Sequence, residues 1–230
     1  MNTAIIVAAG SGKRFESSTP KQFLDLLGKP VIFHTLERFD RCAAIDGLIV
    51  VLADDWLDRI GEESKAFNFA KPIRFVAGGA TRAQSVKNGF RACAPATEFI
   101  AVHDAARPLV TEAEILRTIE GAHETGAACL TSPVVDTIKE IKDKRINRTI
   151  DRTSLRRAVT PQVFRYDILR DALESSDLSE AVTDECSLVE KIGGEIAYID
   201  GSPRNIKITV PDDLIIAEAL LKAEKKRANA

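Results

Sequence analysis

The chain has 230 residues, 45% hydrophobic and 29% charged, with a formal net charge of -2 at pH 7. That length supports a full hydrophobic core, and so balanced a charge excludes a protein built as a whole to coat nucleic acid or an anionic membrane. No apolar run reaches the roughly 20 residues that cross a bilayer, and Met1–Ala4 enters a strand directly, without the basic and apolar segments of a secretion signal. Four cysteines, Cys42, Cys93, Cys129 and Cys186, are scattered without a C-x-x-C pair, which reads as free thiols in a reducing cytoplasm. Three histidines without paired spacing give no zinc site.

Ala4–Ala8 predicts the first strand. It runs into Ala8-Ala9-Gly10-Ser11-Gly12-Lys13-Arg14, with Pro20-Lys21 a few residues later. Small residues let backbone N–H groups approach phosphate oxygens. Lys13, Arg14 and Lys21 add fixed positive charge where a leaving pyrophosphate gathers negative charge. The spacing fits neither a Walker loop, since Arg14 follows Gly12-Lys13, nor a dinucleotide fingerprint, since Phe15 stands where a third glycine is required. A helix over Val31–Arg41, a strand over Gly47–Leu52, a short helix near Trp56–Lys65 and a strand over Ile73–Val76 follow.

Gly78-Gly79-Ala80 then leads into a helix over Arg82–Cys93, with Thr81 and Gln84 at capping-box spacing. The glycines allow a planar base to be read by backbone amides and the Ser85 hydroxyl; an ordinary capped turn uses the same residues. The strand Phe99–Val102 ends in His103-Asp104-Ala105-Ala106-Arg107-Pro108. An acid at the carboxyl end of a central strand lies where open α/β sheets bind ligands. Thr111 and Glu114 open a helix to about Thr125, stopped by Gly126. Ala128–Pro133 is a strand, Arg165–Glu174 and Asp184–Lys191 are helices, and Glu195–Ile199 is a strand. Pro211 opens a last helix to about Lys225. This alternation predicts an α/β fold, a doubly wound and mostly parallel sheet, in a single domain spanning 1–230.

One segment, about 134–152, breaks the pattern. Thr137–Ile141 and Ile146–Ile150 alternate about a polar turn, the signature of a β-hairpin. Ile138, Ile141, Ile146 and Ile150 have no place in a sheet already covered by helices. We therefore expect an arm that buries them against a second subunit, in preference to a hairpin folded back on its own domain. Two later basic stretches, Arg156–Gln162 and Arg204–Thr209, have no interleaved aromatic residues and so do not suggest a nucleic-acid surface. A phosphate monoester held by an Arg and a Lys suits them better. Lys207, flanked by Ile206 and Ile208, is expected to point one way from a strand.

Taken in order, Ala8-Ala9-Gly10-x-Gly12-x-Arg14, Pro20-Lys21-Gln22, Gly78-Gly79-x-x-Arg82-x-x-Ser85-Val86, His103 to Pro108, Asp136 to Lys139, Thr160-Pro161-Gln162 and Asn205 to Thr209 resemble the 2-C-methyl-D-erythritol 4-phosphate cytidylyltransferases over essentially the whole chain. The resemblance implies a Rossmann-like nucleotidyltransferase domain, a β-arm that forms a homodimer, and transfer of cytidylyl from CTP to a methylerythritol phosphate with Mg²⁺. By motif, Ala8, Ala9, Gly10, Gly12 and Lys21 would hold the CTP phosphates, and Arg14 and Lys21 would stabilise the transition state. Gly79 and Ser85, supported by Arg82, would meet the cytosine. Arg152 and Lys207 would position the sugar phosphate, with Thr137 and Arg152 arriving from the partner's arm. Asp104, Arg107 and Thr160 would line the sugar-phosphate pocket. Some relatives carry an acid where this chain has Ala80, and no metal ligand is assigned.

The reaction expected is in-line attack by a monoester oxygen on the α-phosphorus, expelling pyrophosphate. A monoester, with a second pKa of about 6, is already anionic at neutral pH, so no general base is required. Ribitol 5-phosphate cytidylyltransferase, with similar motifs, is one competing reading. A non-catalytic nucleotide-binding protein on the same fold is another. The length leaves no room for a fused second enzyme.

Overall fold

The computed structural model describes residues 1–10, 15, 19–178 and 182–228. Gly12, Lys13 and Arg14 lie outside the described residues. In chain order the elements are β1 (Asn2–Ala8), β2 (Asp25–Leu26), β3 (Lys29–Pro30), α1 (Val31–Arg41), β4 (Gly47–Leu52), α2 (Leu57–Ser64), β5 (Ile73–Ala77), α3 (Arg82–Arg91) and β6 (Phe99–Asp104). They continue as α4 (Glu112–Thr125), β7 (Ala127–Pro133), β8 (Ile138–Lys142), β9 (Arg145–Ile150), β10 (Arg156–Arg165), α5 (Tyr166–Glu174), α6 (Cys186–Lys191), β11 (Ala197–Asp200) and α7 (Pro211–Ala228).

Seven strands form one sheet in the order β11-β7-β10-β6-β1-β4-β5. Every residue of β4 and β6 is buried, as expected for strands covered on both faces. Alternate side chains serve the two layers. Ala4, Ile6 and Ala8 pack with Ile32, Phe33, Leu36 and Ile115 from α1 and α4. Ile5 packs with Val86, Phe90, Leu169 and Leu188 from α3, α5 and α6. A third cluster joins Ile208 to Ala217 and Leu221 of α7. Thr111 and Glu114 complete the expected capping box, and Gly126 ends α4 in the left-handed conformation at φ 85°.

The sheet differs from expectation in one strand. β10 runs antiparallel between β6 and β7, whereas the residues from Arg156 to Gln162 read as a basic anion-binding stretch. Pro161 cannot donate to a ladder, and the pairing with β7 shifts register between Ala158 and Gln162 to accommodate it. Ile206–Thr209 is also not a strand. It is an extended segment tied to the end of β6 by Ile208 N–H donating to Ala106 O at 2.9 Å.

The hairpin is present as a separate two-stranded sheet, β8 against β9. Asp143 and Lys144 both have positive φ, 48° and 60°, the two-residue turn whose twist matches the flanking strands. Ile138 faces Ile150 and Ile141 faces Ile146 across the ladder. Val135, Ile141 and Ile146 remain 67%, 61% and 65% exposed.

Candidate active site

β1 lies between β4 and β6, so successive crossovers leave it in opposite directions, and the crevice at the carboxyl ends of these strands is the place for a ligand. A cavity of about 540 Å³ opens there, within the size range of small-molecule sites. Its walls include Ala8, Ala9 and Gly10 from the loop after β1, Lys21, Gly79, Arg82 and Ser85 from the turn into α3, Asp104 at the end of β6, and Lys207. Segments separated by nearly the whole chain thus share one space.

Each wall is fixed by a local device. A buried Gln22 donates through Nε2 to the carbonyls of Ala8 at 2.6 Å and Gly10 at 2.9 Å. In a trans peptide the C=O and the following N–H point opposite ways. Gln22 therefore turns the Ala8 carbonyl aside and leaves the Ala9 N–H on the opposite side of that peptide. The same short turn, Lys21–Phe23, is anchored by Phe23 stacked on Trp56 at 4.2 Å, so the Lys21 backbone is set by the core. At Gly10 an added Cβ would meet open space.

At Gly78 a Cβ would overlap that of Ala9 and stand 3.0 Å from Ser85 Oγ. Only glycine lets the two turns touch. Ser85 Oγ donates to Thr81 O at 2.9 Å and accepts from Gly79 N–H at 3.1 Å. Ala80 N–H donates to Gln84 Oε1 at 3.0 Å. The amides expected to read a base are thus spent within the turn. What it has left to offer is carbonyl oxygen, which suits the exocyclic amine of a cytosine.

Asp104 is the centre of the charged wall. Its carboxylate accepts from Arg82 Nε at 3.2 Å and Arg107 Nε at 3.4 Å, and Lys207 Nζ stands 2.8 Å away. Burial pushes Asp104 up, but Arg82, Lys207 and Arg107 outweigh it and hold the carboxyl well below the usual carboxylate range. Thr160 Oγ1 accepts the Asp104 N–H at 3.1 Å, and Thr160 O accepts from Asn205 Nδ2 at 2.9 Å. Arg107 Nη1 donates to Asn205 O at 2.9 Å. Thr160 and Arg107 therefore brace Asp104 and the Lys207 segment from behind.

Neighbouring His103 is fully buried. Its Nε2 lies 3.2 Å from Arg107 O, an acceptor only, so that nitrogen carries the proton. Nδ1 finds no partner among the described residues. Burial lowers its pKa to about 3, so it stays neutral and braces the Arg107 turn.

Four expected residues among those described are not on these walls: Arg107 and Thr160, which stand behind Asp104, and Thr137 and Arg152. Thr137 and Arg152 flank the arm, and Arg152 Nη1 donates to Val135 O at the arm's base. Sequence reasoning missed two others that the structure brings in. Gln22 appeared only within a motif, and Glu185 gave no signal at all, because its burial depends on α6 packing beside the sheet. All four thiols are free. Among the described residues no cluster of three acidic, His or Cys side chains could cage a metal. Asp104 has given its oxygens to three cations. The donor set thus suits a Mg²⁺ ion only as one carried by a bound triphosphate, the usual habit of that ion.

The family model for 2-C-methyl-D-erythritol 4-phosphate cytidylyltransferase (IspD) matches residues 2–223. The enzyme of that name from Bacillus licheniformis is 44% identical over 228 residues, covering 98% of both chains. That from Syntrophotalea carbinolica is 43% identical, covering 94% of both. The crystal structure of the 4-diphosphocytidyl-2C-methyl-D-erythritol synthase of Anaerococcus prevotii superposes with a TM-score of 0.84 at 31% identity, covering 96% of both chains. The loop after β1, the turn into α3 and the cation cluster on Asp104 therefore stand in a chain that belongs to the 2-C-methyl-D-erythritol 4-phosphate cytidylyltransferase family.

Proposed function

We infer that the chain transfers cytidylyl from CTP to 2-C-methyl-D-erythritol 4-phosphate, releasing pyrophosphate, as a step of isoprenoid biosynthesis. The observation that carries this reading is the convergence of the β1 loop, Lys21, the Gly79–Ser85 turn and Lys207 on one cavity. The triphosphate lies on the Ala8–Gly12 backbone, with Arg14 and Lys21 on the oxygens where charge develops. The base meets the Gly79 turn. Lys207 and Arg152 hold the attacking monoester in line, and Thr137 and Arg152 come from the arm of a second copy. Two polyanions must be brought together, so the chemistry is alignment and charge neutralisation rather than proton transfer. Mg²⁺ bound to the triphosphate would neutralise further charge.

Among the described residues no helix is long and apolar enough to cross a membrane, and we place the enzyme in the cytoplasm. The hairpin's uncovered Ile141 and Ile146 favour a homodimer closed by the arms. The reading is tested by pyrophosphate release with CTP and Mg²⁺, offering methylerythritol phosphate and ribitol 5-phosphate in turn. Turnover with the first alone is expected. Preference for ribitol phosphate would move the chain to the competing activity, and release with neither would leave only a nucleotide-binding protein.

A further inference from the structure

Glu185 is 0% exposed, a rare state for a carboxylate. Both its oxygens converge on one nitrogen, Arg82 Nη1, at 2.7 and 2.8 Å. Through Nε at 3.2 Å the same guanidinium holds Asp104. The support behind Glu185 is equally defined. Gln162, buried on β10, accepts the N–H groups of Glu185 at 3.1 Å and Cys186 at 3.2 Å on its Oε1, and donates to Asp184 Oδ2 at 2.8 Å. The central sheet thus grips the start of α6 and carries one carboxylate to the back of the cavity wall.

A buried ion pair is weak evidence for stability, since apolar residues of similar volume often serve as well. Its value here lies in what the cation does on its other side, for Arg82 lines the cavity. Arg82, Arg107 and Lys207 together face two carboxylates, Asp104 and Glu185. Without Glu185, three cations would share one carboxylate, and Arg82, which lines the cavity, would keep only its single bond to Asp104.

We propose that Glu185 is a positioning residue for cytidylyl transfer, fixing the Arg82 guanidinium on Asp104 and withholding it from the bound phosphates. The proposal rests on the activity inferred above and adds the group that keeps its cations apportioned. A cation freed at the wall attracts polyphosphate indiscriminately, substrate and product alike, and draws it off the line of attack.

The test compares the purified full-length chain with Glu185→Gln and with the double variant Glu185→Gln/Arg82→Gln. Melting temperature, kcat, KM for CTP and inhibition by inorganic pyrophosphate are measured for each. Glu185→Gln is expected to lose about tenfold or more in kcat, with KM for CTP unchanged or lower and pyrophosphate inhibition severalfold tighter. The double variant is expected to be as slow, with the tighter inhibition gone. A role confined to stability would lower the melting temperature and leave kcat and pyrophosphate inhibition of the folded enzyme as they were, which overturns the proposal. So does a chain that folds in neither form. Calorimetric titration with pyrophosphate reads the same shift without turnover. An inactive parent chain would thus sink the assigned reaction, whereas an active parent with an indifferent Glu185→Gln sinks only this proposal.

Discussion

The wall around Asp104 and the β8–β9 arm are both crowded with charge, yet the same residue types do different work in them. At the wall, Asp104 and Glu185 are buried, and each cation is held by a partner of defined geometry. On the arm, Arg148 and Glu140 pair at 3.1 Å with side chains 67% and 39% exposed, where solvent and salt screen most of the attraction. Charge in this molecule therefore matters by its surroundings rather than its number. What sets the arm apart is its exposed apolar stripe, Val135, Ile141 and Ile146.

The largest test strikes the cavity directly. Lys21→Ala should lower kcat by about a hundredfold or more, the scale of losing one preorganised electrostatic contact, with the fold intact in circular dichroism. A kcat near the parent value would remove Lys21 from the chemistry. Next, Arg152→Ala and Lys207→Ala should raise KM for the sugar phosphate more than for CTP. Mixed and reassembled, the Arg152→Ala and Lys21→Ala chains should turn over faster at low sugar phosphate than either does alone, because one site of a mixed dimer would regain both residues. No recovery would mean that the arm of the same chain, or neither arm, serves the site.

A smaller effect separates buried from exposed groups by pH. His103 is neutral in the fold with its pKa lowered to about 3, whereas in the unfolded chain it takes up a proton below about 6.5. Its contribution is complete above that value and is lost as pH falls towards 3, on the order of 5 kcal/mol in all. Denaturant titrations of His103→Gln should show a flatter acid dependence across that window; an unaltered slope would mean that His103 is not held neutral. The smallest effect is expected on the arm. Glu140→Gln should leave melting temperature and kcat within error of the parent, and a clear loss in either would break the contrast between wall and arm.

Much of the fold is legible in the order of residues alone. β1, β4 and β6 announce themselves because strands covered on both faces are continuous apolar runs, and Thr111 with Glu114 marks a helix start by local bonding alone. The hairpin is legible because alternation and a polar turn are local too. β10 is not, since Arg156, Arg157 and Pro161 carry none of the signals of a central strand and its place is set by partners remote in sequence. Lys207 points as expected, but for another reason: Ile208 is pinned to Ala106 rather than paired in a sheet. The roles of Gln22 and Glu185 emerge only when the chain is folded, because an amide or acid buried by tertiary packing looks in sequence like any surface residue.

Gly78, pressed against the Ala9 methyl group with no room for one of its own, ties the loop after β1 to the turn before α3. Neither neighbour there is the far end of a long side chain that could swing aside. Two walls of the cavity therefore shift together or not at all, and the width between them is a property of backbone packing.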